Sequence, residues 1–247
     1  MEESYPMRAI AHIESDFSSK FAVPRQSGLV EELTARIVFE PAYRRSEALR
    51  GIGEFSHLWL IWVFSGNLRS HWSATVRPPR LGGNERMGVF ATRSPFRPNP
   101  IGLSCVRLLA AEETEEGTVL LVAGADLMNG TPILDIKPYI PYADCRSEAT
   151  GGFTERVEKR RVRVDCDEAL LRRLPEEKRA ALLGVLAEDP RPSYQNDAER
   201  VYGFGFAGFE VRFSVEGDTL TVREIAEAQH FAPGTNADTC QRKNNIV

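Results

Sequence analysis

Residues 88–102, GVFATRSPFRPNPIG, set two arginines, Arg93 and Arg97, among three prolines, Pro95, Pro98 and Pro100. Each proline fixes its own φ, removes a backbone donor and pushes the residue before it away from helical geometry. Ser94, Arg97 and Asn99 are therefore held extended, and the segment reads as a stiff loop presenting guanidinium forks. A preformed loop of this kind recognises carboxylate or phosphate at low ordering cost; a proline-rich crossover with solvated arginines would have the same composition. Two other groups could do chemistry. In DIKPY the strand period puts Asp135, Lys137 and Tyr139 on one face, so a base, a cation and a phenol could meet one pocket. The competing reading is a polar surface stripe, with Pro138 marking a sheet edge. The segment Gly124–Gly130 (GADLMNG) combines backbone groups, the Asp126 carboxylate and apolar walls, which suits a planar ligand and equally an ordinary hairpin loop.

Charge adds a class of partner. Between Arg77 and Arg107 stand Arg77, Arg80, Arg86, Arg93, Arg97 and Arg107 against Glu85 alone, in a chain of net charge −4. Residues 155–173 form a second, mixed but basic stretch. An acidic protein with one or two basic faces fits a transient RNA substrate whose affinity falls with salt, although solvated surface would look alike. Cys105, Cys145, Cys166 and Cys240 include no CxxC pair, and His12, His57, His71 and His230 make no ligand spacing, so neither a metal site nor a disulfide framework is expected. Cys105 reads as a small core residue inside an apolar strand. No Ser/His/Asp or Cys/His constellation supports a hydrolase. No GxGxxG follows a strand and opens a helix, and the glycines of GFGFAGF (Gly203, Gly205, Gly208) lie within a strand pattern, where they mark a bulge or a close backbone approach. Residues 1–15 lack the apolar run of a secretory signal, and Leu58–Phe64 is too short to span a bilayer, so a cytoplasmic protein is expected.

The elements that must position these residues are mostly short strands. A chain of 247 residues, 42% hydrophobic and 27% charged, can bury a real core. Alternating or apolar runs predict strands at Arg8–Ser15, Leu33–Phe39, His57–Phe64, Met87–Ala91, Ile101–Ala110, Thr118–Ala123 and Ile133–Ile136, with His57–Phe64 fully buried. Ser46–Gly51 is at most a short helix, and Glu116-Gly117 and Asn129-Gly130 read as hairpin turns. The pattern predicts a mainly β barrel domain over residues 5–144, then a linker near CRSEATGGF. A small α+β domain is expected over residues 154–229. Its strands are Arg161–Val164, Arg200–Phe206, Phe209–Val215 and Thr219–Arg223; its helices are Asp167–Leu174 and Pro175–Ala187, with Pro175 in the first turn. Residues 230–247 have little apolar periodicity and are expected to be disordered.

With FAVPRQSG (Phe21–Gly28), FSHLW (Phe55–Trp59), GVFATRSPFRPNPIG (residues 88–102), DIKPYIP (Asp135–Pro141) and DPRPSY (Asp189–Tyr194) in this order on one chain, the sequence resembles the TrmO (TsaA-like) family. The resemblance runs from about Arg8 to Ala143 and implies a β-barrel tRNA methyltransferase. Such enzymes carry a methyl group from S-adenosylmethionine to N6 of threonylcarbamoyladenosine at position 37 of threonine tRNA. It further implies a homodimer, with the cofactor against Pro24, Arg25, Gln26, Ser65, Gly66, Arg93, Leu103, Asp126, Leu127, Met128 and Asn129. Ser65 and Gly66 are smaller than the family's residues, so only backbone contacts carry over there. The N6 lone pair is delocalised into ring and carbonyl, so a site must polarise the carbonyl or accept the N–H proton; Asp135, Lys137 and Tyr139 are the candidates. For tRNA the candidates are Arg77, Arg80, Arg86 and Arg97, together with Arg191 and Tyr194 on the proline-stiffened DPRPSY arm, where a guanidinium and an aromatic could grip phosphate and stack on a base. The alternative is a non-catalytic barrel that binds a nucleotide or RNA.

Overall fold

The computed structural model describes residues 5–68, 71–78, 81, 85–156, 161–191 and 197–228. Arg80, Tyr194 and residues 230–247, each singled out above, lie outside the described residues.

The chain is mainly β. Its strands are β1 (Ala11–Glu14), β2 (Thr34–Phe39), β3 (His57–Val63), β4 (Thr75–Val76), β5 (Met87–Gly88), β6 (Ile101–Thr114), β7 (Gly117–Ala123) and β8 (Pro132–Pro138), then β9 (Arg163–Asp165), β10 (Tyr202–Phe206), β11 (Phe209–Glu216) and β12 (Thr219–Glu227). The helices are short α1 (Pro141–Asp144) and α2 (Glu168–Leu171) and longer α3 (Glu176–Ala187). Six strands form one antiparallel sheet, β1-β2-β7-β6-β3-β8, which closes because β8 pairs with β1 as well as β3. Ile13, Ile37, Leu58, Leu60, Leu120 and Ile133 fill its interior. Full burial of each such side chain is worth roughly 1.5–3 kcal/mol.

A second core forms on the sheet β10-β11-β12-β9, in which β9 runs parallel to β12. Helix α3 lays Ala181, Leu182, Val185 and Leu186 in this core. Phe17, Ala22, Val30 and Leu33, from the loop between β1 and β2, belong to it too. That loop is sewn to the second sheet by the Phe17–Phe206 bridge, by Ala207 N–H to the Asp16 carbonyl (2.9 Å), and by the half-buried Lys178–Asp16 ion pair (2.7 Å). The residues after the linker therefore help to place the Pro24–Gln26 corner.

Several elements differ from the sequence expectation. The run His57–Val63 is not buried on both faces: Leu58, Leu60 and Trp62 point inward, while His57, Trp59, Ile61 and Val63 face outward. Its apolar composition hid this alternation. Cys105 also lies on the outward, part-buried face of β6, between inward Ser104 and Val106. Of Met87–Ala91 only β5 is strand; Val89–Ala91 is a 3₁₀ turn with Val89 buried and Phe90 exposed. Asn129-Gly130 makes a turn, with Gly130 at φ 74°, but not a hairpin, because β7 and β8 are not neighbours. Pro175 is the residue before α3 rather than part of its first turn. Gly203 and Gly205 do sit at close approaches, where a Cβ would crowd Glu210 and Ser18. No helix among the described residues is long and apolar enough to cross a membrane.

Candidate cofactor and RNA site

The site forms where β6 and β7 part. Their pairing starts at Arg107–Ala123, and beyond it the Ser104–Cys105 edge of β6 has no β7 partner. The loop through Ser27 fills this gap. The Cys105 N–H donates to Ser27 Oγ (3.1 Å), and the Gly28 N–H donates to the Gly124 carbonyl (2.9 Å). Gly124 and Gly28 both have positive φ, 75° and 77°, and a Cβ on Gly124 would lie 3.3 Å from the Gly28 backbone. Only glycine lets the two loops meet this closely.

Asp126 sits in that opening. The Ser104 hydroxyl donates to Asp126 Oδ1 (2.5 Å) and accepts the Trp62 indole N–H (2.9 Å). Arg93 donates to the Gln26 side-chain carbonyl, and its charge acts on Asp126. Burial nonetheless raises the Asp126 pKa above its ordinary value, against the opposing pull of the Ser104 and backbone hydrogen bonds and of Arg93. A carboxyl perturbed by desolvation, beside an arginine and at the rim of a closed sheet, has the character of a binding site.

The loop carrying Arg93 is stiff, as its prolines require. Thr92 Oγ1 donates to the Val89 carbonyl, the Ser94 N–H donates to Thr92 Oγ1, and the Phe96 N–H donates to Ser94 Oγ. On the other side, Arg25 donates to the Arg191 carbonyl (3.2 Å) and the Asp189 carbonyl (3.4 Å), tying the corner to the DPRPSY arm. Pro24 is buried beneath.

The remaining cofactor candidates divide. Leu103 is 52% exposed on the outward face of β6. Ser65 and Gly66 follow β3 in a 3₁₀ turn, and a Cβ on Gly66 would lie 3.8 Å from the Met128 methyl, so these segments adjoin. Leu127 instead buries its side chain in the interior core. Asn129 accepts from the Ser15 N–H (3.1 Å) and lines a different cleft with Asp16, Ser18 and Lys178. Leu127 is therefore left with main-chain groups for a ligand, whereas the exposed Asn129 keeps its side-chain amide N–H groups as well.

The DIKPY stripe holds together on the outer face. Asp135 and Lys137 form an ion pair (2.8 Å). Register aligns Leu103, Ile61 and Asp135 across β6, β3 and β8, with Cys105, Trp59 and Lys137 as the next row. The Tyr139 ring lies 5.7 Å from that of Trp59, whose indole N–H donates to Asp144 Oδ2 (3.0 Å). The Ile140 N–H and this indole hold the Asp144 carboxyl below its ordinary pKa. Partial burial and the nearby Cys145, Cys105 and Asp144 push the Tyr139 phenol up, so it stays protonated at neutral pH.

Of the arginines expected to meet RNA, Arg77 and Arg86 are exposed and Arg97 is half-buried. Arg86 donates to Thr75 Oγ1 (3.3 Å) and Arg97 to the Thr92 carbonyl (3.4 Å). Arg191 corrects the sequence reading. It is 8% exposed, with Nε and Nη2 each 2.8 Å from the Asp189 carboxylate, so it braces its own loop and offers no free fork to phosphate.

Comparison with known proteins decides the family. The model of the tRNA-methyltransferase O N-terminal domain matches residues 12–145, and that of the TrmO C-terminal domain matches residues 159–228. The chain belongs to the tRNA-methyltransferase O family. It is 40% identical to the tRNA (adenine(37)-N6)-methyltransferase of Escherichia coli K12 over 220 residues, covering 86% of this chain and 94% of that protein. To the protein of the same name from Eikenella corrodens it is 47% identical over 171 residues, covering 69% and 97%. A crystal structure of TrmO from Pseudomonas aeruginosa superposes with TM-score 0.73 at 31% identity, covering 91% of this chain and all (100%) of that one. In this member of the tRNA-methyltransferase O family, sequence reading overlooked Ser27, Ser104, Trp62, Gly102 and Asp144. The inward positions Gly102 and Ser104 carried a signal, since small residues in an apolar strand leave room for something larger, here the Trp62 indole.

Proposed function

We propose that this chain is an S-adenosylmethionine-dependent tRNA methyltransferase acting on N6 of threonylcarbamoyladenosine at position 37 of threonine tRNA. The observation that carries the reading is the placement of Asp126, Arg93 and Gln26 at one opening of the closed sheet, within a family match spanning both cores. We take residues 5–144 as the barrel domain bearing the cofactor and residues 154–229 as the domain that helps to hold tRNA, in a cytoplasmic homodimer.

The donor set fits the cofactor. Asp126 would accept from ribose hydroxyls, Arg93 would meet the amino-acid carboxylate, and Leu103 and Met128 would wall the apolar parts. When bound, S-adenosylmethionine supplies an electrophilic methyl on a sulfonium. The chain's own task is to make N6 nucleophilic. Asp135, kept in place by Lys137, would accept the N6 proton as the N–C bond forms, and the protonated Tyr139 would donate to the carbamoyl oxygen.

The test is incubation of purified protein with labelled S-adenosylmethionine and threonine tRNA, with or without the threonylcarbamoyl group, followed by nucleoside analysis. Label in the modified nucleoside alone is expected. Cofactor binding without methylation of either tRNA would instead mean a non-catalytic binding module.

A further inference from the structure

Trp72 and Phe90 are large aromatic side chains with wide solvent-exposed faces. They are 52% and 72% exposed, and their rings lie 6.2 Å apart at an interplanar angle of 28°, a near-parallel stack facing solvent. Their exposure is not fraying, because the backbone beside each is anchored. The Ser73 N–H donates to the Phe96 carbonyl (3.1 Å), the Val89 N–H donates to the Ala74 carbonyl (3.0 Å), and Val89 itself is buried. The β4–β5 pairing of Thr75 with Gly88 and Val76 with Met87 fixes the two segments side by side.

The surroundings are cationic. Arg77, Arg86 and Arg97 form no ion pair with a carboxylate among the described residues, and Glu85, the one acid between Arg77 and Arg107, lies 3.8 Å from Arg156. An apolar ring pair bordered by unneutralised guanidiniums matches a nucleobase on a phosphate chain, which supplies a π-face and negative charge together. It suits a second copy of this chain poorly, since a two-fold contact brings each patch against itself and would set these arginines against their own copies. The distance to the site is short. Phe90 precedes Arg93 by three residues, at most about 11 Å of chain, which is the rise of about three stacked nucleotides.

We infer that Trp72 and Phe90 form a stacking platform for an unpaired anticodon-loop base beside the target adenosine. The inference rests on the tRNA-methyltransferase reading above and adds the groups that grip the loop through a base face. Stacking and phosphate contacts separate by their salt dependence, because only the latter release counterions.

The experiment measures methylation kinetics and binding of a threonine-tRNA anticodon stem-loop over a range of salt for the wild type, Trp72→Ala, Phe90→Ala, Trp72→Phe and Arg86→Ala. Each alanine variant should raise KM for tRNA roughly 5- to 150-fold, with S-adenosylmethionine affinity and the log–log salt slope unchanged. Trp72→Phe should recover part of the loss, whereas Arg86→Ala should lower the slope by about one. The stem-loop should also quench wild-type indole fluorescence, and Trp72→Phe should reduce that change. An active wild type whose alanine variants keep their KM would overturn the platform, as would a change of oligomeric state in Trp72→Ala by light scattering. A wild type that neither binds nor methylates tRNA would instead sink the methyltransferase reading, and the platform with it.

Discussion

Ser104 links the inside of the closed sheet to its rim: one hydroxyl accepts the Trp62 indole N–H at 2.9 Å and donates to the Asp126 carboxylate at 2.5 Å. The orientation of a core indole and that of the candidate ribose-binding carboxylate are thus set by the same atom. Disturbing either end should be felt at the other.

Asp126→Asn tests the polar end. The folded state raises the Asp126 pKa, so it binds more protons than the unfolded state between the ordinary carboxyl value and the raised one. Its contribution to stability is therefore fully present at acid pH and is lost as pH rises through the raised value. Asparagine can still accept from Ser104 but never ionises. The variant should melt at or above the wild-type temperature at neutral pH, and the gap between the two should close on acidification. S-adenosylmethionine affinity, read by calorimetry, should fall about tenfold to a hundredfold, as loss of a hydrogen bond to a charged group implies. A variant that is less stable and binds normally would remove Asp126 from the site.

Gly102→Ala tests the apolar end. A Cβ at position 102 would overlap the Trp62 indole carbons, so the ring must shift and its bond to Ser104 must lengthen or break. Overpacking of this kind costs roughly 1–3 kcal/mol. Denaturant unfolding should show that loss, with weaker cofactor binding alongside it. Wild-type stability in the variant would mean that the indole is loosely held.

The strands were legible because apolar alternation and turn residues are local signals. The proline-arginine loop was legible for the same reason, since three prolines leave few conformations. The partition of faces on β3 was not, because its outward residues Trp59 and Ile61 are as apolar as its inward ones. Asp126 could be picked out by residue type, but its partner Ser104, and the Trp62 indole that Ser104 accepts from, lie on β6 and β3, and register is not written in any one segment. Arg191 misled for a related reason. Asp189, two residues earlier, captures the guanidinium, and composition alone does not choose between a neighbouring acid and a phosphate.

Asp135→Asn and Tyr139→Phe separate chemistry from binding. If Asp135 takes the N6 proton, its asparagine variant should lose roughly 10²–10⁴-fold in kcat while cofactor affinity holds. Tyr139→Phe removes a hydroxyl that stays protonated at neutral pH, so its kcat loss should be constant from pH 6 to 8. Lys137→Ala should give a smaller loss than Asp135→Asn, since it removes only the partner that places the carboxylate. Full kcat in Asp135→Asn would return the stripe to plain surface.

The outer face of β3 and β6 supplies the test of the proposed homodimer. Trp59, Ile61 and Val63 pair with Cys105, Leu103 and Ile101 on a sheet face away from the interior core, and Leu103 is half exposed. Such a row is larger and more apolar than scattered surface residues, and a stable contact would need about 800 Å² from each partner. Ile61 is the centre of the row, flanked by Leu103 on β6 and Asp135 on β8. A charge there must be desolvated by the contact, and two-fold symmetry imposes that cost on both partners. Ile61→Asp should therefore yield monomers by light scattering at micromolar concentration, from a dimeric wild type, while the interior residues Leu58, Leu60 and Trp62 keep the fold. Because Asp135 and Leu103 border that row, methylation should fall along with dimer content, and raising protein concentration should restore both together. A wild type that is monomeric at the same concentration would refute the dimer, and full activity in a monomeric Ile61→Asp variant would refute its role in the site.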